Sequence, residues 1–314
     1  MSPRNARVSP LGLACAAAGA SLWGLSFVAP LFAPGVSAWD VSLGRYLVFG
    51  VVGWLLVLRS RAAGVRLPSG GWGAALLFGL TGYYGCYTAM VAAIDLAGPA
   101  PVTLVMGLTP VSVALAATLR TRRTSWTRLA GPLALIGCGL ALANLFRHAD
   151  AAPGRELAAG LLLAFAALGL LTFYLVANMS FLKRHPEVSP LAWANVQGAA
   201  LLVFSLAALA FRAAFSQELP WSGGRASPMA YLGVSLILGL GVSWLGGALW
   251  NKANALLPPT LAGQCIVFWP VSGILYACLL AGRPPSAPET LGMVMVFAGV
   301  AWGVRSSGPD GAGA

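Results

Sequence analysis

Residues 99–119 read PAPVTLVMGLTPVSVALAATL, and residues 259–279 read PTLAGQCIVFWPVSGILYACL. Both stretches begin with proline, and both carry Pro-Val-Ser at the same later position, starting at Pro110 and Pro270. Matches of Ala and Leu arise easily by chance in an apolar chain, but two prolines at identical spacing do not. The offset of 160 residues between the stretches therefore predicts two copies of one structural unit.

The composition of the chain is that of a membrane protein. Of its 314 residues, 58% are hydrophobic and 9% are charged, and the mean hydropathy is +0.80. Soluble domains carry roughly 25% charged residues, so this chain lacks the charge to cover a globule in water. We therefore predict an all-α membrane protein.

Ten apolar segments, each about 20 residues long and so able to cross a bilayer, are separated by short links rich in Pro, Gly, Ser and Arg. The ten predicted segments are 11–33, 38–58, 72–95, 99–119, 129–146, 158–182, 190–212, 229–253, 259–281 and 287–304. The polar stretch 147–157 is the predicted joint between two five-helix repeats, residues 1–150 and 151–314.

The distribution of cations predicts the orientation of these segments. With the N-terminus inside, thirteen of the 19 Lys and Arg residues fall in cytoplasmic segments, five fall outside, and Arg45 lies within a segment. Cytoplasmic loops of membrane proteins are enriched in Lys and Arg, so both termini are predicted to be cytoplasmic. The same rule explains the net charge of +11 without nucleic acid as a partner. Because five is an odd number, the two repeats have inverted topology, which is typical of secondary transporters with a central cavity.

Cofactors and catalysis are not expected. The five cysteines lie in apolar segments without a CxxC pair, so neither a disulfide framework nor a metal site is predicted. Hydrolysis or acyl transfer needs a base beside a nucleophile, and the histidines, His148 and His185, fall in links. We therefore expect that the protein is not an enzyme.

Aromatic side chains mark the predicted substrate site. Tyr83 and Tyr87 are four residues apart and so share one helix face. They lie in mid-segment, whereas interfacial aromatic belts lie at segment ends, although a plain helix–helix contact is an alternative. Together with Trp23, Tyr174 and Trp269 they are predicted to form an aromatic wall around an apolar substrate side chain.

Uncharged polar residues within the segments are the predicted ligands of the substrate's polar groups. Asn178, Asn195 and Gln264 lie in apolar surroundings, where a polar group is costly unless it faces the interior or water. We expect their amides to bind the α-amino and carboxylate groups of an amino acid.

Pro110 and Pro270 are predicted to bend two symmetric helices, because proline removes a backbone hydrogen bond. Gly79 and Gly239 are predicted to allow close packing or hinging. These four positions either form static kinks or move during gating.

Three charged residues are candidates for a structural or a ligand-binding role. Arg45 lies within the second segment, and Asp40 and Asp95 lie near the same outer surface. A pairing of Arg45 with either aspartate is the favoured interpretation, and binding of a substrate carboxylate is the alternative. No carboxylate lies clearly at the midplane, where a proton-coupled antiporter usually carries one, so we expect facilitated export.

Several motifs resemble the EamA-type drug/metabolite transporters, and the resemblance covers nearly the whole chain. They are residues 22–30 (LWGLSFVAP) followed by Arg45, residues 108–111 (LTPV), and in the second half residues 249–254 (LWNKAN) and 269–271 (WPV). One departure is that the Glu often found after the fourth helix of each half is missing. Within that superfamily the chain is most similar to the YddG-like aromatic amino acid exporters.

This resemblance implies ten helices around a central cavity in the bacterial inner membrane. It implies export of amino acids and some toxic compounds. We expect aromatic and other apolar amino acids to be favoured, no cofactor to be needed, and the protein to function as a monomer in the lipid bilayer. A multidrug exporter of the same superfamily is the alternative function, and an integral membrane enzyme is a more distant one.

Overall fold

The computed structural model describes residues 9–62, 68, 70–97, 99–121, 126–145, 154–215 and 227–306. Over these residues the chain is helical and contains no β-strand. The first seven residues of the predicted joint, 147–153, lie outside the described ranges.

The described residues of the first half form seven α-helices, and Gly79–Gly85 is a π-helical segment that joins the third to the fourth. They are α1 (Pro10–Gly24), α2 (Ala38–Ala62), α3 (Gly71–Phe78), α4 (Cys86–Ala97), α5 (Pro99–Gly107), α6 (Thr109–Thr121) and α7 (Trp126–Leu145).

Seven α-helices are also described in the second half, and a second π-helical segment, Ile237–Leu245, joins the third of these to the fourth. They are α8 (Gly154–Arg184), α9 (Pro190–Phe215), α10 (Pro228–Leu236), α11 (Gly246–Leu256), α12 (Pro259–Cys265), α13 (Phe268–Leu280) and α14 (Ala287–Ser306).

Ser-Pro dipeptides begin three of these helices. The hydroxyl oxygens of Ser9, Ser189 and Ser227 accept hydrogen bonds from the backbone N–H three residues later, at 3.2, 3.0 and 3.1 Å. The proline that follows has no N–H to leave unpaired in the first turn. Local sequence therefore fixes where α1, α9 and α10 start.

Seven described helical stretches are long and apolar enough to cross a membrane. They are Pro10–Phe27, Trp39–Ser60, Gly71–Ala97, Glu156–Arg184, Pro190–Phe215, Pro228–Leu256 and Leu261–Leu280. Two shorter apolar helices, Ala130–Leu142 and Ala287–Trp302, coincide with the fifth and tenth predicted segments. The fourth predicted segment is divided between α5 and α6. The described structure thus establishes a polytopic helical protein with seven candidate spans.

The two π-helical segments are related by the repeat offset. Gly79 opens the first segment, and its repeat mate Gly239 lies inside the second. A π-helical turn is rare and often occurs at functional sites. Both segments interrupt regular helix in the middle of a candidate span, so they occupy corresponding positions along the chain in the two halves.

The helices that carry Pro110 and Pro270 are interrupted just before each proline. α5 ends at Gly107 and α6 begins at Thr109, whereas Ile266 and Val267 separate α12 from α13. Each proline thereby occupies the first turn of a new helix, where a missing N–H costs little. The predicted bends therefore take the form of helix breaks.

Helices from the two halves pack against each other in corresponding pairs. α4 packs on α8 and α11 packs on α1, so in both pairs the third segment of one half contacts the first segment of the other. In addition, α2 packs on α9 and α7 packs on α14. The two halves thus interlock along their full described length.

The contact between α2 and α9 brings two backbones together at Gly53. A Cβ atom added at Gly53 would lie 2.6 Å from the carbonyl oxygen of Asn195 and 2.7 Å from the backbone nitrogen of Ala199. Small residues permit such close approach between membrane helices. The fold therefore depends on the missing side chain at this position.

Large apolar side chains lie on the outer surface of the bundle. Leu162, Phe211, Phe215 and Leu279 are each at least two-thirds exposed. Extended apolar patches are rare on soluble monomers, and this surface suits contact with lipid.

Candidate functional site

A cavity of about 550 Å³ lies between helices of the two halves. Its lining consists mainly of aromatic side chains with one cation, and comprises Trp23, Ser26, Arg45, Tyr46, Gly82, Tyr83, Cys86, Tyr87, Met90, Leu171, Tyr174 and Trp269. An adjoining apolar cavity of about 370 Å³ shares Met90 and Trp269 with it.

One wall of the cavity is formed by tyrosines. The hydroxyl oxygens of Tyr83 and Tyr174 are 3.2 Å apart, and Tyr46 makes edge contacts with Tyr83 and Tyr87 at centroid distances of 6.1 and 6.3 Å. Gly82 allows this arrangement, because a Cβ there would collide with the Tyr174 ring. The π-helical segment thus directs consecutive residues into the cavity.

Tryptophans form another part of the cavity wall. Trp23 and Trp269 meet edge to face at a centroid distance of 6.3 Å, and Phe27 stacks on Trp269 at 5.6 Å. The indole N–H of Trp269 has no hydrogen-bond partner among the described residues.

Arg45 enters the tyrosine wall from α2. Its Nε donates to Ser243 Oγ at 2.8 Å, and the guanidinium carbon lies 5.1 and 5.4 Å from the ring centroids of Tyr46 and Tyr87. The residue is 7% exposed. The side chain is thus held by the neutral hydroxyl groups of Ser243 and Tyr87 and by two aromatic faces.

The predicted pairing of Arg45 with an aspartate is wrong for Asp40 and is not observed for Asp95. Asp40 Oδ1 instead pairs with Arg212 Nη1 at 2.6 Å, which joins α2 to α9. Asp95 is exposed on α4. Within the described ranges, none of the ion pairs involves Arg45.

Asn178 belongs to a buried hydrogen-bond network outside the cavity lining. It donates from Nδ2 to Asn251 Oδ1 at 2.8 Å, and its Oδ1 accepts from Trp193 Nε1 at 2.7 Å. Gln197 closes the network, because its Nε2 donates to Asn178 at 3.1 Å and its Oε1 accepts from Asn251 at 3.0 Å. All four side chains have no exposed surface, and together they join α8, α9 and α11.

The other two predicted amide ligands also lie away from the cavity lining. Asn195 Oδ1 accepts from Trp244 Nε1 at 2.8 Å. Gln264 is fully buried on α12, and its amide atoms have no hydrogen-bond partner in the part of the chain that the structure describes. The structure therefore brings together the five predicted aromatic residues but none of the three predicted amides.

Sequence reasoning missed Tyr46 in the cavity lining, although it follows Arg45 directly. It also missed two partners of Asn178 in the neighbouring network, Gln197 and Asn251, which are further amides within apolar segments. Gln197 and Asn251 could have been found as candidates, because each is an uncharged polar residue inside a segment long enough to cross a membrane. Which amide would meet which depends on helix packing, which a single sequence does not encode.

Comparisons with known proteins agree with this architecture. No family model matches the chain. It is 29% identical over 297 residues to the inner membrane protein YtfF of Escherichia coli (strain K12), across 91% of this chain and 92% of that protein. A solved structure described as "Crystal structure of protein" superposes with a TM-score of 0.75 at 19% identity, covering 94% of this chain and 96% of the other. The chain thus shares the fold of that structure.

The fold and the cavity define a transporter-like protein with multiple membrane-spanning helices. The similarity to YtfF places it in the cell inner membrane.

Proposed function

We propose that the protein is an exporter of the EamA-type drug/metabolite transporter superfamily. It moves amino acids, chiefly aromatic and other apolar ones, and related small metabolites by alternating access. The observation that carries this proposal is the cavity walled by Tyr and Trp side chains from both halves of the chain. Aromatic walls bury apolar side chains and tolerate differences in their shape.

The proposed topology is ten crossings in two inverted repeats with both termini in the cytoplasm. It adds α7, α14 and the interrupted pair α5–α6 to the seven candidate spans. Support comes from the π-helical segments and helix breaks, which recur at the repeat offset, and from the corresponding contacts of α4 with α8 and α11 with α1. Inverted repeats place the substrate site at their interface.

In this topology the network around Asn178 lies on the cytoplasmic side of the cavity. It joins the end of α8, the start of α9 and the end of α11, and Gln197 is also hydrogen-bonded to Tyr174 at the cavity wall. The network thus holds the cytoplasmic side closed, and opening toward the cytoplasm requires these bonds to separate. The breaks before Pro110 and Pro270 provide positions at which the helices change direction.

Trp269→Ala is expected to reduce efflux of labelled phenylalanine from proteoliposomes about tenfold. The reason is that a buried aromatic contact contributes roughly 1.5–3 kcal/mol, and tenfold corresponds to about 1.4 kcal/mol. Trp54→Ala is the matched control, because Trp54 lies on the outer surface of α2, where it contacts Trp72. Equal efflux by both variants would contradict the proposed site.

The same vesicles distinguish amino acid export from multidrug export. A multidrug exporter would move a lipophilic cation such as ethidium and leave phenylalanine inside, which is the opposite of the expected result.

We expect phenylalanine efflux to proceed at the same initial rate with and without an imposed pH gradient. In the described ranges the cavity lining contains no carboxylate or histidine that would bind the coupling proton. The measurement is efflux with valinomycin present to clamp the membrane potential. If a gradient accelerates efflux and Asp95→Asn or Asp40→Asn removes the acceleration, facilitated export is wrong.

A further inference from the structure

The guanidinium of Arg45 lies in the cavity without a counter-charge. It is 7% exposed and lines the cavity, yet among the described residues no carboxylate forms an ion pair with it. The nearest acid along its own helix, Asp40, is already paired with Arg212 at 2.6 Å. A buried cation at membrane depth is costly unless it is paired, so the site lacks one negative charge.

The groups that face Arg45 are neutral on every packed element. Ser243 comes from the π-helical segment before α11, Tyr87 and Cys86 come from α4, and Tyr46 comes from α2 itself. Cation–π contacts with tyrosine contribute roughly 0.5–2 kcal/mol. This is less than the free-energy cost of removing a charged guanidinium from water. These residues orient the guanidinium but do not neutralise it.

Donor groups on Arg45 are left for a ligand. A guanidinium carries five N–H donors in a planar fork. Ser243 accepts from Nε, and the Tyr87 hydroxyl is hydrogen-bonded to the same side chain. The remaining donors match the two oxygens of a carboxylate, which is the anion that arginine binds in a bidentate manner.

We propose that Arg45 binds the carboxylate of the transported molecule. The inference rests on the proposed export function and specifies its substrate class, namely molecules with a carboxylate and an apolar or aromatic body. The carboxylate lies against Arg45 at the tyrosine wall, and the apolar body lies toward Trp23 and Trp269. The cavity accordingly disfavours amines that have no acid group.

The test compares three labelled probes of similar shape in proteoliposomes. Phenylalanine carries an amine and a carboxylate, 3-phenylpropionate carries only the carboxylate, and phenethylamine carries only the amine. The wild-type protein is expected to move the two acids at least about tenfold faster than phenethylamine. Equal transport of phenethylamine and phenylalanine by the wild-type protein overturns the role of Arg45 and leaves export intact.

Arg45→Gln is expected to lower transport of both acids at least about tenfold and to leave phenethylamine transport unchanged. Ser243→Ala keeps the charge and removes the hydrogen bond that orients it, so an intermediate loss for the acids is expected. If Arg45→Gln does not fold, the proposal is tested by the loss of acid transport in Ser243→Ala and by the preference of the wild-type protein for the acids over phenethylamine.

Failure of the export proposal is a separate result. If the wild-type protein moves none of the three probes, the thermal shift of the purified protein is measured with each probe. A rise in melting temperature with both acids but not with phenethylamine supports the Arg45 site even then. The Arg45 site is contradicted if the acids raise the melting temperature of the Arg45→Gln variant equally, or if no probe raises the melting temperature of the wild-type protein.

Discussion

Replacing Gly53 with alanine is expected to destabilise the protein by about 3 kcal/mol, the upper end of the roughly 1–3 kcal/mol that overpacking typically costs, because the contacted atoms are backbone. The new methyl group would lie 2.6 Å from the Asn195 carbonyl oxygen and 2.7 Å from the Ala199 nitrogen. Both are backbone atoms of α9, so relief requires α2 and α9 to separate. Thermal unfolding in detergent, followed by loss of monodisperse protein, measures the effect.

Gly169→Ala is the matched control for this change. Gly169 is an exposed residue of α8, and a Cβ atom added there meets nothing within 4 Å among the described residues. Because alanine favours a helix over glycine by roughly 1 kcal/mol, Gly169→Ala is expected to be neutral or stabilising. Identical melting of the Gly53 and Gly169 variants would show that α2 and α9 do not approach so closely.

The sequence was sufficient for the helical class and for the approximate positions of the seven candidate spans in the described residues. Apolar run length identifies a helix that contacts lipid, and proline marks a helix break, because both effects are local. The π-helical form of Gly79–Gly85 was not predictable, since its register depends on what it packs against. The aromatic residues were predicted as a group because they lie in mid-segment.

The polar residues show where sequence reasoning stops. A buried amide must find a hydrogen-bond partner, but its sequence position does not say whether that partner is a substrate or another amide. Asn178 finds Asn251, Trp193 and Gln197, which come from other helices. Arg45 lacks a partner that was expected within the protein, since Asp40, one of the two aspartates predicted to pair with it, is paired with Arg212. Both outcomes depend on distances between helices far apart in sequence.

Asn178→Leu is expected to destabilise the folded protein by about 3–5 kcal/mol, since each buried polar group left unpaired costs roughly 1–3 kcal/mol. Leucine has a similar size but leaves Trp193 Nε1 and the Asn251 side-chain oxygen without the bonds that they make at 2.7 and 2.8 Å. If the network holds the cytoplasmic side closed, as proposed, the remaining folded protein also populates open conformations more often. Labelling of a cysteine introduced at Leu171 in the cavity wall, by a membrane-impermeant thiol reagent applied from the cytoplasmic side, is then expected to accelerate.

Asn254→Leu separates this effect from the plain loss of a buried asparagine. Asn254 lies on α11, is equally buried, and has no side-chain hydrogen bond within the described residues. Because no other described group loses a hydrogen bond, its replacement by leucine is expected to leave the melting temperature unchanged or to raise it. Equal losses of stability at both positions would mean that burial of the amide, and not the network, decides the outcome. A selective loss at Asn178 would show that α8, α9 and α11 are joined by these hydrogen bonds.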